Sequence, residues 1–380
     1  MRILIAIVLA ALILPAKTAP AAAEQTRAPA APSSAVRVEV FAAGLEYPWS
    51  LQFLPDGRLL VTERPGRLRI VAAGGRISPP LAGVPRVAAI GQGGLLDVAL
   101  APDFATSARI VMSYAEPRGT ASGTSIAIAR LVPEGDGGRL DDVKIIFQQM
   151  PAVSGGLHFG SRLAFARDGR LFVSLGERNQ RDSAQDPANH LGKIVRIAAD
   201  GSLPQDNPFY GQSSKRNEIW STGHRNVQAA AIHPATGKLW TIEHGPRGGD
   251  EVNIPGKGLN YGWPLIGYGI DYSGAKIHES TSRDGLEQPV YYWRPSIAPS
   301  GMAFYTGTLF PAWRGNLFVG ALAGQALHRL VLEGERVVAE EILLQDLGER
   351  IRDVRQGPDG ALWLLTDAAN GRILRVVPAR

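Results

Sequence analysis

The sequence contains no cysteine, and this absence narrows the chemistry open to the chain. Without a thiol there is no disulfide, no cysteine nucleophile, no thiolate zinc site, no iron–sulfur cluster and no covalently attached c-type haem. Any redox centre must therefore be a dissociable cofactor. With 380 residues, the chain can bury a core large enough to fold by packing alone.

The sequence also lacks a block of basic residues. Its net charge of +5 is spread along the chain, with no lysine- and arginine-rich stretch interleaved with aromatic residues. Nucleic-acid binding needs such a concentrated positive surface. We therefore expect no nucleic-acid partner.

No hydrophobic run is long enough to span a bilayer as a permanent helix. The apolar stretch from Ile3 to Pro15 follows Arg2 and precedes the small residues Ala21 to Ala23. This order predicts a secretory signal peptide at 1–23, with a retained membrane anchor as the alternative. We expect a periplasmic or secreted protein without a membrane span in the mature chain, and a flexible leader at 24–35.

One phrase recurs six times: a turn of Pro, Asp or Gly residues followed by an apolar strand. Clear copies are LPDGRLLVTER, ARDGRLFVSLGE, HPATGKLWTIEHGP and GPDGALWLLTD, and looser ones are APDFATSARIVMSYAE and PAWRGNLFVGALAG. The equivalent strands are expected to start, 45 to 78 residues apart, near Arg58, Ile110, Arg170, Lys238, Asn316 and Ala361. Each interval can hold a four-stranded sheet, and no long amphipathic helix is evident. The repeat predicts an all-β fold with a single six-bladed β-propeller at 36–380; hairpins of an unrelated β fold are the alternative.

Polar, glycine-rich segments interrupt this repeat and are candidates for function. In GGLHFGSRL, His158 lies among glycines at the entrance to a strand, where an imidazole could abstract a hydroxyl proton. Glu177, in LGER after the next strand, could orient that ring. A structural loop histidine is the alternative.

Three arginines suggest an anionic ligand. Arg225 precedes Asn226 in STGHRN, and alternation places Arg350 and Arg352 on one face of a strand in ERIRDV. Guanidinium groups suit carboxylates or quinone oxygens, and two on one face repel unless an anion or solvent separates them. A surface turn and a solvated strand face are the alternatives.

Two further stretches, HGPRGGDE and NYGWP, are rich in accessible oxygens. They contain backbone carbonyls at Gly245 and Pro246, together with Glu251 and Tyr261. Calcium prefers six to eight oxygen ligands, although this spacing is not that of an EF-hand. The stretches are therefore a weak indication of a calcium site.

Taken in order, these segments resemble the soluble PQQ-dependent aldose sugar dehydrogenases of the glucose/sorbosone dehydrogenase family. The resemblance runs from about Val40 to Val377 and is carried by YPWSLQFLPDGRLLVTER, GQGGLLDVALAPDF, HFGSRLAF, STGHRNVQ to NYGWP, and RIRDVRQGPDG. It implies a six-bladed propeller that holds pyrroloquinoline quinone (PQQ) and calcium. It further implies oxidation of aldoses at the anomeric carbon to lactones, with electrons passed to an external acceptor, by a monomer or homodimer.

The resemblance also assigns roles to individual residues. His158 matches the catalytic base, and Arg225 matches a PQQ ligand beside the reacting carbonyl. Further matches to PQQ contacts are Gln92, Asn226, Tyr272, Arg350 and Arg352. The carbonyls of Gly245 and Pro246 match ligands of the calcium that polarises PQQ, whereas Glu251 and Tyr261 match a second, structural calcium site.

Two positions depart from the glucose dehydrogenases of this family. The stretch from Leu322 to Gln325 has no lysine where those enzymes place one against PQQ. In addition, Glu177 stands where they have an aspartate that supports the histidine. We therefore expect the cofactor contact at Gln325 to be lost or replaced.

Two other classes of propeller are alternatives. A lactonase-type hydrolase would hold calcium in the central channel and use it to activate water or a lactone carbonyl, but it would not explain the cluster of arginines. A non-enzymatic binding propeller would give His158 no role.

Overall fold

The computed structural model describes residues 28–379, so the predicted signal peptide at 1–23 lies outside the described residues. These residues form 23 strands in six sheets. The helical segments are short: α1 (Phe104–Ser107) and three 3-10 turns, Arg181–Gln185, Pro311–Trp313 and Gln345–Leu347. Between residues 28 and 379, no helix has the length and apolar character needed to cross a membrane.

Each sheet forms one blade, and we number the blades in chain order. The first strand and those of blades one to three are β1 (Val36–Leu45), β2 (Pro48–Phe53), β3 (Leu59–Glu63), β4 (Arg67–Val71), β5 (Leu95–Leu100), β6 (Arg109–Arg118), β7 (Ala121–Glu134), β8 (Gly137–Gln148), β9 (Gly160–Phe165), β10 (Leu171–Leu175), β11 (Ile194–Ile197) and β12 (Ile219–Ser221). The strands of blades four to six are β13 (Val227–Ile232), β14 (Leu239–Glu243), β15 (Asp250–Asn253), β16 (Tyr291–Trp293), β17 (Pro299–Phe304), β18 (Leu317–Ala321), β19 (Ala326–Glu333), β20 (Arg336–Leu343), β21 (Ile351–Gln356), β22 (Leu362–Thr366) and β23 (Gly371–Pro378).

The first strands of the six blades form a closed inner ring. Strands β2, β5, β9, β13, β17 and β21 contact one another in turn, and β21 contacts β2. Within each blade the strands are antiparallel, and β1 pairs with β23, so blade six combines both ends of the described chain. This arrangement confirms the predicted all-β six-bladed propeller.

The six predicted strand starts each lie within one residue of the start of a second strand: β3, β6, β10, β14, β18 and β22. The prediction was accurate because a local turn precedes the strand. In blade one, the Leu54 amide donates to the Arg58 carbonyl at 2.8 Å, and the Arg58 amide donates to the Asp56 carboxylate at 3.1 Å. Gly57 closes this turn at φ +84°, a conformation that glycine adopts without strain. The same pattern recurs around Gly169 and Gly360.

Apolar side chains fill the spaces between adjacent blades, and each of the six interfaces contains a buried cluster. The centre of the ring is polar instead. There, Arg162 bridges Asp97 at 3.3 Å and Asp353 at 2.9 Å, and Arg355 contacts both carboxylates. The inner strands that carry these residues have register breaks against their neighbours, and such bulges re-aim side chains.

Residues 28–34, which belong to the leader predicted at 24–35, contact blade five. The Ala31 amide donates to the Glu340 carbonyl at 2.9 Å, which adds this segment to the outer edge of blade five beside β20. Ser34 hydrogen-bonds Glu341, and the Trp313 indole donates to the Ser34 hydroxyl at 2.9 Å. The small, proline-rich composition gave no periodic signal for this pairing, because the bridge to β20 itself is made by backbone groups.

Candidate active site

The topology gathers the candidate residues at one end of the ring. In an antiparallel blade, the start of the first strand and the end of the second lie at the same end. His158, Asn226 and Arg350 lie just before β9, β13 and β21, respectively, whereas Glu177 and Gly245 lie just after β10 and β14. Segments from different blades therefore meet around the channel mouth.

His158 and Glu177 form a buried pair. The Nδ1 atom of His158 lies 2.9 Å from Oε2 of Glu177, and His158 is only 6% exposed. Gly176 lets the two backbone segments that carry these residues lie close together, because a Cβ atom there would lie 1.9 Å from the His158 carbonyl oxygen. The carboxylate accepts the Nδ1 proton in this network, which assigns the lone pair to Nε2.

The environment keeps the His158 imidazole neutral. Burial lowers the pKa of His158, and the charges of Arg225 and Arg178 lower it further, whereas the hydrogen bond to Glu177 raises it. The net shift of the pKa is downward from 6.5. At neutral pH the ring can therefore accept a proton at Nε2.

We expect Glu177→Gln to lower the pKa of His158 further, because the amide removes the negative charge that favours imidazolium. Titration of the imidazole signals by NMR measures this shift. Glu177→Asp keeps the charge and serves as the control. An unchanged or raised pKa in the glutamine variant would contradict the pairing.

Gln92 fastens the segment that carries His158. Its side-chain Oε1 accepts a hydrogen bond from the backbone amide of His158 at 2.8 Å, and its backbone amide donates to the Gly156 carbonyl at 2.7 Å. Gln92 lies in the connection from β4 to β5, as expected for a residue at this end of the ring.

Arg225 extends between blades three and four. Its amide donates to Oε2 of Glu243 at 2.6 Å, and its guanidinium donates to the Gly245 carbonyl at 2.8 Å. The guanidinium carbon lies 5.3 Å from the centre of the Trp263 ring. The Glu177 amide donates to the Arg225 carbonyl at 2.9 Å, so the arginine and the histidine pair share a backbone connection.

Asn226 connects these residues to the arginines of blade six. Its Oδ1 accepts hydrogen bonds from the Gly160 amide at 3.1 Å and from Gln228 at 3.2 Å. Gln228 in turn accepts a hydrogen bond from Arg352 at 3.2 Å. The sequence did not identify Gln228, which occupies an ordinary position in β13.

Arg350 and Arg352 share the carboxylate of Asp367. Their guanidinium nitrogens lie 3.3 Å and 3.1 Å from Oδ2 of Asp367. Burial alone would raise the pKa of Asp367, but the charges of Arg352, Arg64 and Arg350 outweigh it, and the pKa is lowered. The anion expected between the two arginines is thus partly supplied by the protein. Neither Asp367 nor Arg64 was identified from the sequence.

The predicted calcium ligands Gly245, Pro246, Glu251 and Tyr261 line one small cavity together with Arg225. Glu251 is half-buried, and burial of its carboxyl group together with the nearby carboxylate of Glu243 raises its pKa. Asn253 donates to both carboxylates at 3.2 Å. Within residues 28–379, no group of three or more His, Cys, Asp or Glu side chains could hold a metal ion, and two of the four predicted ligands are backbone carbonyls.

Two candidate positions lie at the exposed margin. Tyr272 is 71% exposed in the connection from β15 to β16, and so the structure leaves its ring away from the buried contacts of the other residues. Gln325 lies exposed in the turn between β18 and β19, in the left-handed conformation. Arg350 donates to the Leu322 carbonyl at 3.2 Å, which brings a cation to the turn that lacks the expected lysine.

Three buried donors at this end have no hydrogen-bond partner in the described structure: Nδ2 of Asn226, Nε of Arg352 and the indole nitrogen of Trp263. Buried donors without partners are unfavourable unless a ligand supplies acceptors. Together with the guanidinium group of Arg225, they favour a ligand rich in anionic or carbonyl oxygens. A neutral imidazole beside such a ligand can accept a proton from a second, hydroxyl-bearing molecule.

Comparison with known proteins identifies the group to which this site belongs. The profile of the family described as Glucose / Sorbosone dehydrogenase matches residues 45–375. Among curated proteins, the chain is 51% identical over 353 residues to "Aldose sugar dehydrogenase YliI" of Escherichia coli (strain K12), covering 92% of this chain and 94% of the relative.

Solved structures give the same result. The apo-form of the soluble aldose sugar dehydrogenase from Escherichia coli superposes with a TM-score of 0.88 at 50% identity, covering 90% of this chain and 100% of that chain. A structure described as the PQQ-bound form of aldose sugar dehydrogenase from Streptomyces coelicolor superposes with a TM-score of 0.74 at 30% identity, covering 91% and 100% of the two chains.

Proposed function

The chain belongs to the glucose/sorbosone dehydrogenase family, and from this premise we propose that it oxidises aldose sugars at the anomeric carbon with PQQ and calcium. Membership of this family favours the dehydrogenase over the lactonase-type hydrolase and the non-enzymatic propeller. The product expected of anomeric oxidation is a lactone. Since no cysteine is available to attach a haem, the electrons leave to an external acceptor.

The unpartnered buried donors are the observation that carries the assignment of PQQ. This cofactor is a quinone with three carboxylates, and Asn226 and Arg352 each present a buried donor without a partner to the site. Arg225 and Arg350 add positive charge from other blades. A set of donors and cations converging from separate loops suits a dissociable, multiply anionic cofactor. The related enzyme described as PQQ-bound supports the same assignment.

The small cavity beside Arg225 fits the proposed calcium ions. The carbonyls of Gly245 and Pro246 offer hard oxygen ligands, and a cation beside Glu251 would offset the burial and the repulsion by Glu243 that raise the pKa of this carboxyl. We infer that Gly245 and Pro246 hold the calcium nearest PQQ and that Glu251 and Tyr261 hold a structural one. The Gly245 carbonyl also accepts the hydrogen bond from Arg225, so this arginine is positioned from the same loop.

The protein's own residues supply the proton transfer and the orientation. Nε2 of His158 accepts the proton of the anomeric hydroxyl, while Glu177 holds the ring and stabilises the imidazolium that forms. Arg225 supplies positive charge where negative charge develops during the reaction. PQQ, when bound, supplies the two-electron acceptor that the side chains lack.

The cellular location also remains part of the proposal. The order of basic, apolar and small residues at 1–23 favours export to the periplasm or the medium. There, the enzyme would meet free aldoses and a separate electron acceptor.

Reconstitution tests the proposed function. We expect the purified apo-protein to reduce an artificial dye when PQQ, calcium and an aldose are all present, and to lose this activity when the calcium is chelated. PQQ should raise the midpoint of thermal unfolding, because a ligand that binds only the folded state stabilises it. A panel of mono- and disaccharides then identifies the preferred sugar.

The controls separate the alternatives. Omission of PQQ should abolish dye reduction, whereas a lactonase would hydrolyse lactones with calcium alone. If PQQ neither stabilises the protein nor supports dye reduction with any aldose, the proposed function is wrong.

A further inference from the structure

Arg178 is a buried arginine that the proposed reaction does not use. It follows β10, is only 2% exposed, and lies next to Glu177 in the chain. Its guanidinium carbon stacks 3.7 Å from the centre of the Phe159 ring. A buried guanidinium without a carboxylate partner is unfavourable, and burial lowers the pKa of Arg178 to about 10.

The guanidinium binds backbone carbonyls of the segment that carries His158. Nε donates to the Leu157 carbonyl at 2.8 Å, and Nη2 donates to the Gly155 carbonyl at 2.5 Å. Nη1 donates to the Ser122 carbonyl at 2.8 Å, in the β6–β7 hairpin of blade two. The planar fork thus ties the segment 155–158 to a neighbouring blade, in a geometry that the point charge of a lysine cannot reproduce.

This segment needs such fastening because its backbone is strained. His158, the last residue of the segment, has φ +52°. Non-glycine residues in this region are unfavourable by about 1 to 3 kcal/mol each and persist only where surrounding contacts fix them. Gln92 fixes the amide of His158 from one side, and Arg178 holds the carbonyls of the preceding residues from the other.

We propose that Arg178 is a positioning residue that fixes the segment 155–158 and thereby aims Nε2 of His158 at the sugar hydroxyl. The proposal rests on the proposed function and deepens it. Arg178 touches no reacting atom in this assignment and acts through the backbone of the segment that carries the base.

Arg178 acts on His158 through geometry and through charge, and the two effects can be separated. The ionisable groups around His158 are Glu177, Arg225, Arg178 and His244. Glu177, Arg225 and His244 are the same residues in both Arg178 variants, so a difference between the two variants comes from position 178. Removal of the Arg178 charge therefore raises the pKa of His158, whereas a lysine keeps most of that charge without the three-way hydrogen bonding.

The experiment compares Arg178→Gln and Arg178→Lys in the PQQ- and calcium-loaded enzyme. We expect both variants to lose about 100-fold in kcat, because a displacement of the base by about 1 Å has an effect of this size. PQQ affinity should be unchanged. In Arg178→Gln the acidic limb of the kcat/KM profile should move to higher pH, whereas in Arg178→Lys it should stay near that of the wild type.

Arg196→Gln is the matched control for the loss of a buried arginine. Arg196 is 6% exposed, stacks on Trp220 at 5.2 Å and pairs with Asp168 on the outer part of blade three. We expect this variant to lose stability but keep wild-type kcat and pH dependence. If Arg178→Gln does not fold, the lysine variant decides through its kcat.

The outcomes are distinct. Wild-type kcat in the folded Arg178 variants would overturn the proposal. It would also be overturned if the Arg178 and Arg196 variants lost kcat equally and in proportion to the loss of folded protein. If wild-type enzyme shows no aldose-dependent dye reduction, the proposed function itself fails, and NMR titration of His158 in both Arg178 variants still tests the positioning.

Discussion

Replacement of His158 by alanine should lower kcat for aldose oxidation by about 1,000-fold, within the range that a positioned general base contributes. In the proposed reaction Glu177 acts only through the imidazole, to which its carboxylate is hydrogen-bonded at 2.9 Å, so it does not replace the missing base. PQQ affinity should be retained, because the proposed cofactor contacts come from other loops. Steady-state kinetics at saturating PQQ and calcium measure the loss, and a thermal-shift titration measures PQQ binding.

The pH profile provides an independent check. In the wild-type enzyme, kcat/KM should fall as the pH drops through the pKa of His158, because imidazolium cannot accept a proton. Burial lowers this pKa, so the fall should lie below the pH expected for an exposed histidine. In His158→Ala the acidic limb should disappear.

His233→Ala is the control for the loss of a histidine. His233 lies just after β13, at the opposite end of the ring from Asn226, and packs against Trp240 and Phe304. We expect wild-type kcat from it. Parallel loss of turnover and PQQ binding in His158→Ala would contradict the role of a base and indicate a structural histidine.

The fold was readable from the sequence because the repeat is local. Asp56 and Gly57 form a turn with Arg58 that closes within five residues, and the same chemistry recurs at Gly169 and Gly360. The ion pairs at the polar centre of the ring could not be predicted from the sequence. Arg162 reaches Asp97, which lies 65 residues away, and this pairing exists only because adjacent blades place inner strands side by side.

The same distinction between local and distant contacts applies to the site. His158 and Glu177 flank one hairpin, so their sequence spacing indicated contact. Gln228 and Arg178 were not identified, because their partners come from other blades: Arg352 for Gln228, and the Ser122 carbonyl for Arg178. Asp367 follows β22 in the same blade as Arg352 and was not identified, although this spacing is similar to that of His158 and Glu177. The site roles assigned by resemblance stay predictions until the variants are measured.

Replacement of Arg352 by glutamine should lower both stability and PQQ affinity, for different reasons. Arg352 is buried and pairs with Asp367, and its removal leaves that carboxylate with only the longer contact to Arg350. Loss of one of these two partners should lower the free energy of unfolding by about 1 to 3 kcal/mol, because Arg350 still compensates part of the buried charge. Loss of a charged hydrogen bond to the cofactor should weaken PQQ binding by about 1.5 to 3 kcal/mol, or roughly 10- to 100-fold.

The double variant Arg352→Gln with Asp367→Asn separates the two effects. It removes both charges together, so we expect the free energy of unfolding to recover most of its loss, while PQQ affinity stays low. Denaturant unfolding measures the recovery. Asp367→Asn alone should keep PQQ affinity or raise it, because Arg352 then loses its competing protein anion. Recovery of both stability and PQQ affinity in the double variant would show that Arg352 serves only to neutralise Asp367. If instead PQQ affinity is low in both variants that lack Arg352, and stability is restored in the double variant, Arg352 contributes its positive charge to the cofactor site.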